Sequence, residues 1–128
     1  MSGKMPVQTR AIAGPSTLLF GYARELLRAR EDAFRAAGFE VQSVCVLEQV
    51  LAMIDGYGYD ALVIGSRVPE EERNQVAGAF RAKNPRSRIV FLYEGSIHNT
   101  EMADALLNGK NAPSDLAFAV AQQVRGNQ

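Results

Sequence analysis

Short apolar runs alternate with amphipathic stretches along most of the chain, and this alternation constrains the fold more than any other feature of the sequence. Runs such as TLLF at 17–20 and ALVI at 61–64 are almost wholly apolar, which is typical of strands buried on both faces. The stretches between the runs carry apolar residues at helical spacing, for example Ala23, Leu27 and Phe34. Strands and helices that alternate through short connections predict a parallel sheet with helices on both faces and right-handed crossovers.

The pattern predicts an α/β fold, a doubly wound five-stranded parallel sheet flanked by helices. The fifth strand is expected to be short or irregular, because Gly109 and Asn111 interrupt it. Asn99 or Thr100 is suited to cap a fourth helix, and Pro113 to open the last helix. The predicted strands are 17–20, 39–46, 61–64, 88–93 and 106–108, and the predicted helices are 24–37, 47–55, 70–84, one starting at 99 or 100, and one starting at 113.

Length and charge narrow the classes of function. The 128 residues fit one domain, with 47% hydrophobic and 22% charged residues. We expect a flexible N-terminal segment over 1–15 and a folded domain over 16–126. The 14 basic residues equal the 14 acidic ones, which argues against a nucleic-acid partner and gives no electrostatic reason for membrane attachment. No apolar run approaches the length of a membrane span, so the predicted location is the cytoplasm.

The residue types that usually carry chemistry are sparse. Cys45 is the single cysteine, which excludes an internal disulfide and a cysteine-based zinc site and predicts a buried, inert thiol. His98 is the single histidine and lies in a polar stretch without an acid or thiol at ligand spacing. Neither a catalytic triad nor a metal site can be assembled from these residues. We therefore expect no cofactor, no metal and no enzymatic activity.

Four phrases, AFRAAGFEV at 33–41, YDALVIGSRVP at 59–69, NPRSRIVFL at 84–92 and APSDLAFAVAQQV at 112–124, follow one another in a familiar order and spacing. In these phrases the sequence resembles the receiver domains of bacterial two-component response regulators, which are CheY-like and have a flavodoxin-like three-layer fold. The resemblance covers about 16–126. It implies a role in signal transduction.

The resemblance also implies a phosphorylation site, and here the sequence departs from the family. Receivers accept a phosphoryl group on an aspartate after the third strand, and use an acidic pair for Mg²⁺, a hydroxyl residue and a lysine. Oxygen ligands suit Mg²⁺, and positive charge suits the incoming phosphoryl group. In this chain the five positions are occupied by residues of other types: Gly21 and Tyr22 for the acidic pair, Gly65 for the aspartate, Tyr93 for the hydroxyl residue and Gly109 for the lysine.

Neighbouring polar residues do not restore this chemistry. Ser66 lies one place past the acceptor position, but a hydroxyl cannot form an acyl phosphate. Glu25 supplies one carboxylate, which does not replace a three-carboxylate cage for the metal. Lys110 lies one residue past the position at which receivers have their lysine. Arg67 could contact an anion beside the site or stay solvated. The chain is thus expected to be a pseudo-receiver, and the roles of the Tyr22 and Tyr93 rings, packing or contact with a ligand or partner, stay open.

The favoured function is a phosphorylation-independent signalling module that binds a protein, either a pathway partner or a second copy of the chain. By resemblance, the interaction face would comprise the fourth helix, fifth strand and fifth helix, with Met102, Leu106, Leu107 and Phe118. The alternative is a sensor whose emptied cleft, with Ser66, Arg67 and Lys110 as contacts, admits an anion or small metabolite. A flavodoxin-like enzyme ranks last, because no nucleophile and base form a pair.

Overall fold

A computed structural model describes residues 14–126 of the chain. Most of the expected N-terminal segment, residues 1–13, therefore lies outside the described residues. The described elements, in chain order, are β1 (Ser16–Phe20), α1 (Arg24–Ala36), β2 (Glu40–Val44), α2 (Leu47–Gly56), β3 (Ala61–Ile64), α3 (Glu70–Lys83), β4 (Arg88–Tyr93), β5 (Ala105–Asn108) and α4 (Pro113–Gly126).

The five strands form one sheet in the order β2-β1-β3-β4-β5, and every neighbouring pair is parallel. This confirms the predicted doubly wound sheet. Phe20, Val63 and Leu92, on the three inner strands, are 1%, 2% and 2% exposed, as strands covered on both faces require. The connection that follows β1 leads to one edge of the sheet, at β2, and the later connections lead from β3 toward the other edge, at β5. A crevice is expected between β1 and β3, at the carboxyl ends of these strands.

The strands divide their side chains between two cores, because successive residues of a strand point to opposite faces. Leu18 and Phe20 face one side, and Leu19 faces the other. The α2–α3 core consists of strand residues packed against Val50, Ile54, Val76, Ala77 and Phe80. The α1–α4 core consists of strand residues packed against Leu27, Phe34, Leu116, Ala117, Val120 and Val124.

The prediction of a helix that starts at residue 99 or 100 is wrong. Residues 94–104 connect β4 to β5 through bends and turns. Gly95 and Asn99 have φ angles of 80° and 54°, a left-handed conformation that does not continue a helix. Ile97, Met102 and Ala103 nevertheless pack against the α2–α3 core, so the loop covers part of the face that a helix would have covered.

β5 is short, as predicted, with four residues, but Gly109 follows the strand and does not interrupt it. The expectation of a buried Cys45 changes. β2 ends at Val44, and Cys45 just after it is half-buried against the α1–α4 core. Within residues 14–126, no helix is both long and apolar enough to cross a membrane.

Candidate functional site

The carboxyl ends of β1, β3, β4 and β5 meet at one edge of the sheet. Gly21 follows β1 and Gly65 follows β3, and a Cβ placed on Gly21 would lie 3.7 Å from the Cα of Gly65. The backbone amide of Gly109 donates a hydrogen bond to the Tyr93 carbonyl at 2.7 Å. A Cβ on Gly109 would lie 3.4 Å from the Ser66 hydroxyl oxygen. Four of the sequence-predicted positions thus surround one cleft.

The side chain that occupies this cleft is Arg30, from the middle of α1. It is only 5% exposed. Its Nη2 donates to the carbonyl of Gly109 at 3.2 Å, and its Nη1 would lie 3.6 Å from a Cβ on Gly65. The guanidinium therefore extends from α1 across the end of β3 to the turn after β5, and the missing side chain of Gly65 leaves room for it.

Little space remains around the guanidinium. The cavity bordered by Gly21, Tyr22, Arg30, Gly65 and Ser66 has a volume of about 10 Å³. That volume corresponds at most to one water molecule. The part of the cleft between Gly21 and Gly65, which the sequence suggested was empty, is filled by a cation from the protein itself.

The fold can be matched to solved structures, although neither protein-family models nor curated proteins match the sequence. A CheY-like response regulator receiver domain protein from Methanospirillum hungatei has a TM-score of 0.77 and 16% identity, over 88% of this chain and 95% of that chain. A response regulator receiver protein from Sinorhizobium medicae has a TM-score of 0.76 and 24% identity, over 90% and 98%. The chain has the receiver-domain fold.

A third similar structure contains a metal ion. It is the receiver domain of a sensor histidine kinase from Pseudomonas aeruginosa, with a TM-score of 0.74 and 18% identity over 88% of this chain and 99% of that chain, and it has a magnesium ion coordinated in its active site cleft. In the present chain, no group of three His, Cys, Asp or Glu side chains within residues 14–126 is arranged to hold a metal ion.

Burial lowers the pKa of Arg30, and the nearby Glu94 carboxylate partly offsets this effect. Glu94 follows β4 and accepts a hydrogen bond from Ser66 Oγ at 2.9 Å. Ser66 is thus engaged with a neighbouring loop. The receiver cleft contains one buried cation with a carboxylate near it, which is the reverse of an acidic metal cage.

Tyr22 does not fill the cleft. Its ring packs edge-on against Phe20, with centroids 5.3 Å apart, and its hydroxyl donates to the Glu72 carboxylate on α3. Burial, together with the hydrogen bond to Glu72, raises the pKa of Tyr22 to about 12. Tyr22 therefore links the β1–α1 turn to α3 as a neutral phenol at physiological pH.

The remaining polar candidates lie at the surface. Arg67 is exposed on the β3–α3 turn, and Lys110 is exposed after β5, where its backbone amide donates to Asn108 Oδ1 at 2.9 Å. Glu25 is exposed in the first turn of α1 and borders a surface hollow with Arg24 and Arg28, so it does not turn back to the cleft. His98 is exposed in the β4–β5 loop.

The residues proposed for an interaction face do not share one surface. Met102 packs against the α2–α3 core and Leu107 against the α1–α4 core, on opposite sides of the sheet, and both are half-buried. Leu106 on β5 is 42% exposed and Phe118 on α4 is 64% exposed. These last two are available to a partner.

No role for Arg30 was predicted from the sequence, although the pattern of α1 indicates that this residue faces the core. The apolar stripe of α1 runs through Leu27 and Phe34, and Arg30 occupies the position between them on the same face. A charged residue within a core-facing stripe is rarely buried without a partner. Arg30 could therefore have been identified as a residue with a partner inside the fold, but not as the occupant of the cleft.

Proposed function

We propose that the protein is a phosphorylation-independent, non-enzymatic receiver domain that acts in signalling by binding another protein. The observation that carries the proposal is the guanidinium of Arg30 at the place where a receiver needs an aspartate and a metal ion. An acyl phosphate needs a carboxylate, and Gly65 offers none. A fixed positive charge beside Gly65 would also repel Mg²⁺.

The other candidate groups support a non-enzymatic role. Cys45 packs against the α1–α4 core and His98 lies in the exposed β4–β5 loop, so these two residues are not paired as nucleophile and base. The volume of about 10 Å³ beside Arg30 leaves no room for a metabolite between Gly21 and Gly65. Binding of a protein remains the function that the exposed apolar side chains favour, and Phe118 is the most exposed large one within residues 14–126.

The first test is chemical. We predict that incubation with acetyl phosphate and Mg²⁺ leaves the intact mass of the protein unchanged, because the cleft has no carboxylate nucleophile and holds a cation. Intact-mass spectrometry measures this directly, with a receiver domain that retains its aspartate as the positive control. A hydroxylamine-labile adduct on the wild-type chain would show that a carboxylate elsewhere accepts the phosphoryl group, and the proposal would fail.

The Gly65→Asp variant sharpens the test. The new carboxylate would lie against the Arg30 guanidinium, and the positions of the metal-binding pair would still hold Gly21 and Tyr22. We expect this variant also to remain unmodified by acetyl phosphate. If Gly65→Asp alone became phosphorylated, Arg30 would not be the obstacle that we infer.

A further inference from the structure

A second cavity, which shares Gly65, Ser66 and Tyr93 with the cleft, lies between the β3–α3 turn and the β4–β5 loop. Its volume is about 200 Å³, and its polar lining residues include Ser66, Glu70, Arg73, Glu94 and Ser96. A larger cavity of about 570 Å³ lies at the opposite edge of the sheet, next to Gly14, where the described residues begin. The cavity at the β4–β5 loop combines a buried cation with carboxylates, so it can discriminate between small ligands.

The cation is Arg73, on the first turns of α3. It is buried and its guanidinium stacks over the ring of Phe91, 4.5 Å from the centroid. Nη2 donates to the carbonyls of His98 and Asn99 at 2.7 and 2.8 Å, and Nε donates to Asn74 Oδ1 at 3.2 Å. Among residues 14–126 none accepts a hydrogen bond from Nη1. A ligand carboxylate in the cavity is a suitable acceptor for that nitrogen.

Two carboxylates border the same cavity and each uses one oxygen within the protein. Glu94 Oε2 accepts the bond from Ser66, and Glu70 Oε2 accepts a bond from the Asn99 amide. The other oxygen of each carboxylate is available for a donor. The two carboxylates would repel a ligand that carries only negative charge, whereas they would attract the ammonium group of a ligand.

We infer that this cavity binds a small α-amino acid, with its carboxylate on Arg73 and its ammonium on Glu94. The volume is below the range of about 300–1,000 Å³ that is typical for drug-sized ligands, which favours a compact zwitterion. Because Arg73 also holds the carbonyls of the β4–β5 loop, the ligand would connect α3 to that loop. The inference does not depend on whether the cleft can be phosphorylated, and the two proposals can fail separately.

The test uses the full chain and three matched probes. L-alanine carries both charged groups, propionate lacks the ammonium, and ethylamine lacks the carboxylate. Isothermal titration calorimetry should give saturable binding of L-alanine, and at least about tenfold weaker binding of propionate and of ethylamine, since each loses one charge-assisted hydrogen bond. A thermal-shift screen of the other amino acids then identifies which side chain the cavity prefers.

Two variants locate the site. Glu94→Gln keeps the acceptor for Ser66 but removes the negative charge, and should weaken the binding of L-alanine at least about tenfold. Glu101→Gln, in the same loop but outside the cavity, should leave the affinity unchanged. Arg73→Lys keeps the charge but removes the forked donor, and should weaken binding while circular dichroism shows an intact fold. The inference is overturned if no amino acid binds saturably, if propionate or ethylamine binds as tightly as L-alanine, or if Glu94→Gln has no effect.

Discussion

At the scale of single residues, the position of the Arg30 side chain depends on the absence of a side chain at Gly65. Arg30 is accommodated in the cleft because Gly65 has no side chain, and Gly65 does not have the positive φ that would require glycine for conformational reasons. The sequence predicted the position of Gly65 correctly through the end of the ALVI strand. It could not show that a side chain thirty-five positions earlier, at Arg30, would reach that point, because this depends on how α1 packs on the sheet.

The dependence can be measured with a double-mutant cycle. In the wild type, Gly65→Asp should cost little stability because the new carboxylate meets the Arg30 guanidinium. In an Arg30→Met background the same change should cost about 2 kcal/mol more, since the carboxylate is buried without its partner. Urea denaturation of the four proteins gives the coupling free energy. Equal costs in both backgrounds would mean that Arg30 does not approach residue 65.

Thr17 offers a second test at this scale. It lies on the inner strand β1 with no exposed surface, and within residues 14–126 its hydroxyl is the buried side-chain polar atom that has no hydrogen-bond partner. Thr17→Val replaces the hydroxyl with a methyl group of similar shape and should raise the free energy of unfolding by about 1 kcal/mol. Thr17→Ser keeps the hydroxyl but loses the methyl group, and should be destabilising. A loss of stability in Thr17→Val would indicate that the hydroxyl is bonded to a buried water.

At the scale of elements, strand and helix positions were predictable except in the β4–β5 connection. The helical spacing of Met102, Ala105 and Leu106 supported a fourth helix, but Ala105 and Leu106 belong to β5. Two interactions from α3 fix the loop in its irregular path: Arg73 with the carbonyls of residues 98 and 99, and Arg81 with Asp104 at 2.7 Å. Such tertiary bonds override a local helical pattern, and spacing alone cannot show them.

The role of Arg73 in holding the loop can be tested by hydrogen exchange. In Arg73→Gln the two charged hydrogen bonds to the loop carbonyls are lost, so amides between 95 and 104 should exchange at least about tenfold faster. Arg28→Gln, on the exposed face of α1, serves as the control and should leave these amides unchanged. If exchange in the loop is the same in both variants, the packing of Ile97 and Met102 holds the loop without Arg73.

At the scale of the whole molecule, the two-sided sheet follows from the apolar runs, because strands without polar alternation must be covered on both faces. The interaction surface could not be predicted in the same way. Its residues were assigned by resemblance, and in the folded molecule Met102 and Leu107 pack on opposite sides of the sheet. Of the four proposed residues, only Leu106 and Phe118 are exposed enough in the folded molecule to contact a partner.

The last prediction concerns association and its regulation. A conformational switch needs a ligand that binds its two states differently, and a cleft filled by Arg30 leaves phosphodonors no such role. Association of the chain with itself or with a partner should therefore be the same with and without Mg²⁺ and beryllofluoride, as measured by sedimentation velocity and by partner binding. Phe118→Glu should weaken it about tenfold or more, because a charge replaces a buried apolar contact. Leu106→Glu tests the other side of the sheet separately, since Leu106 points away from the face that Leu107 and α4 share. Tyr57→Glu is the matched control, since Tyr57 is 61% exposed but follows α2 at the opposite edge of the sheet. A response to beryllofluoride would place an acceptor in the cleft after all, whereas an effect of Tyr57→Glu alone would move the interface to the other edge.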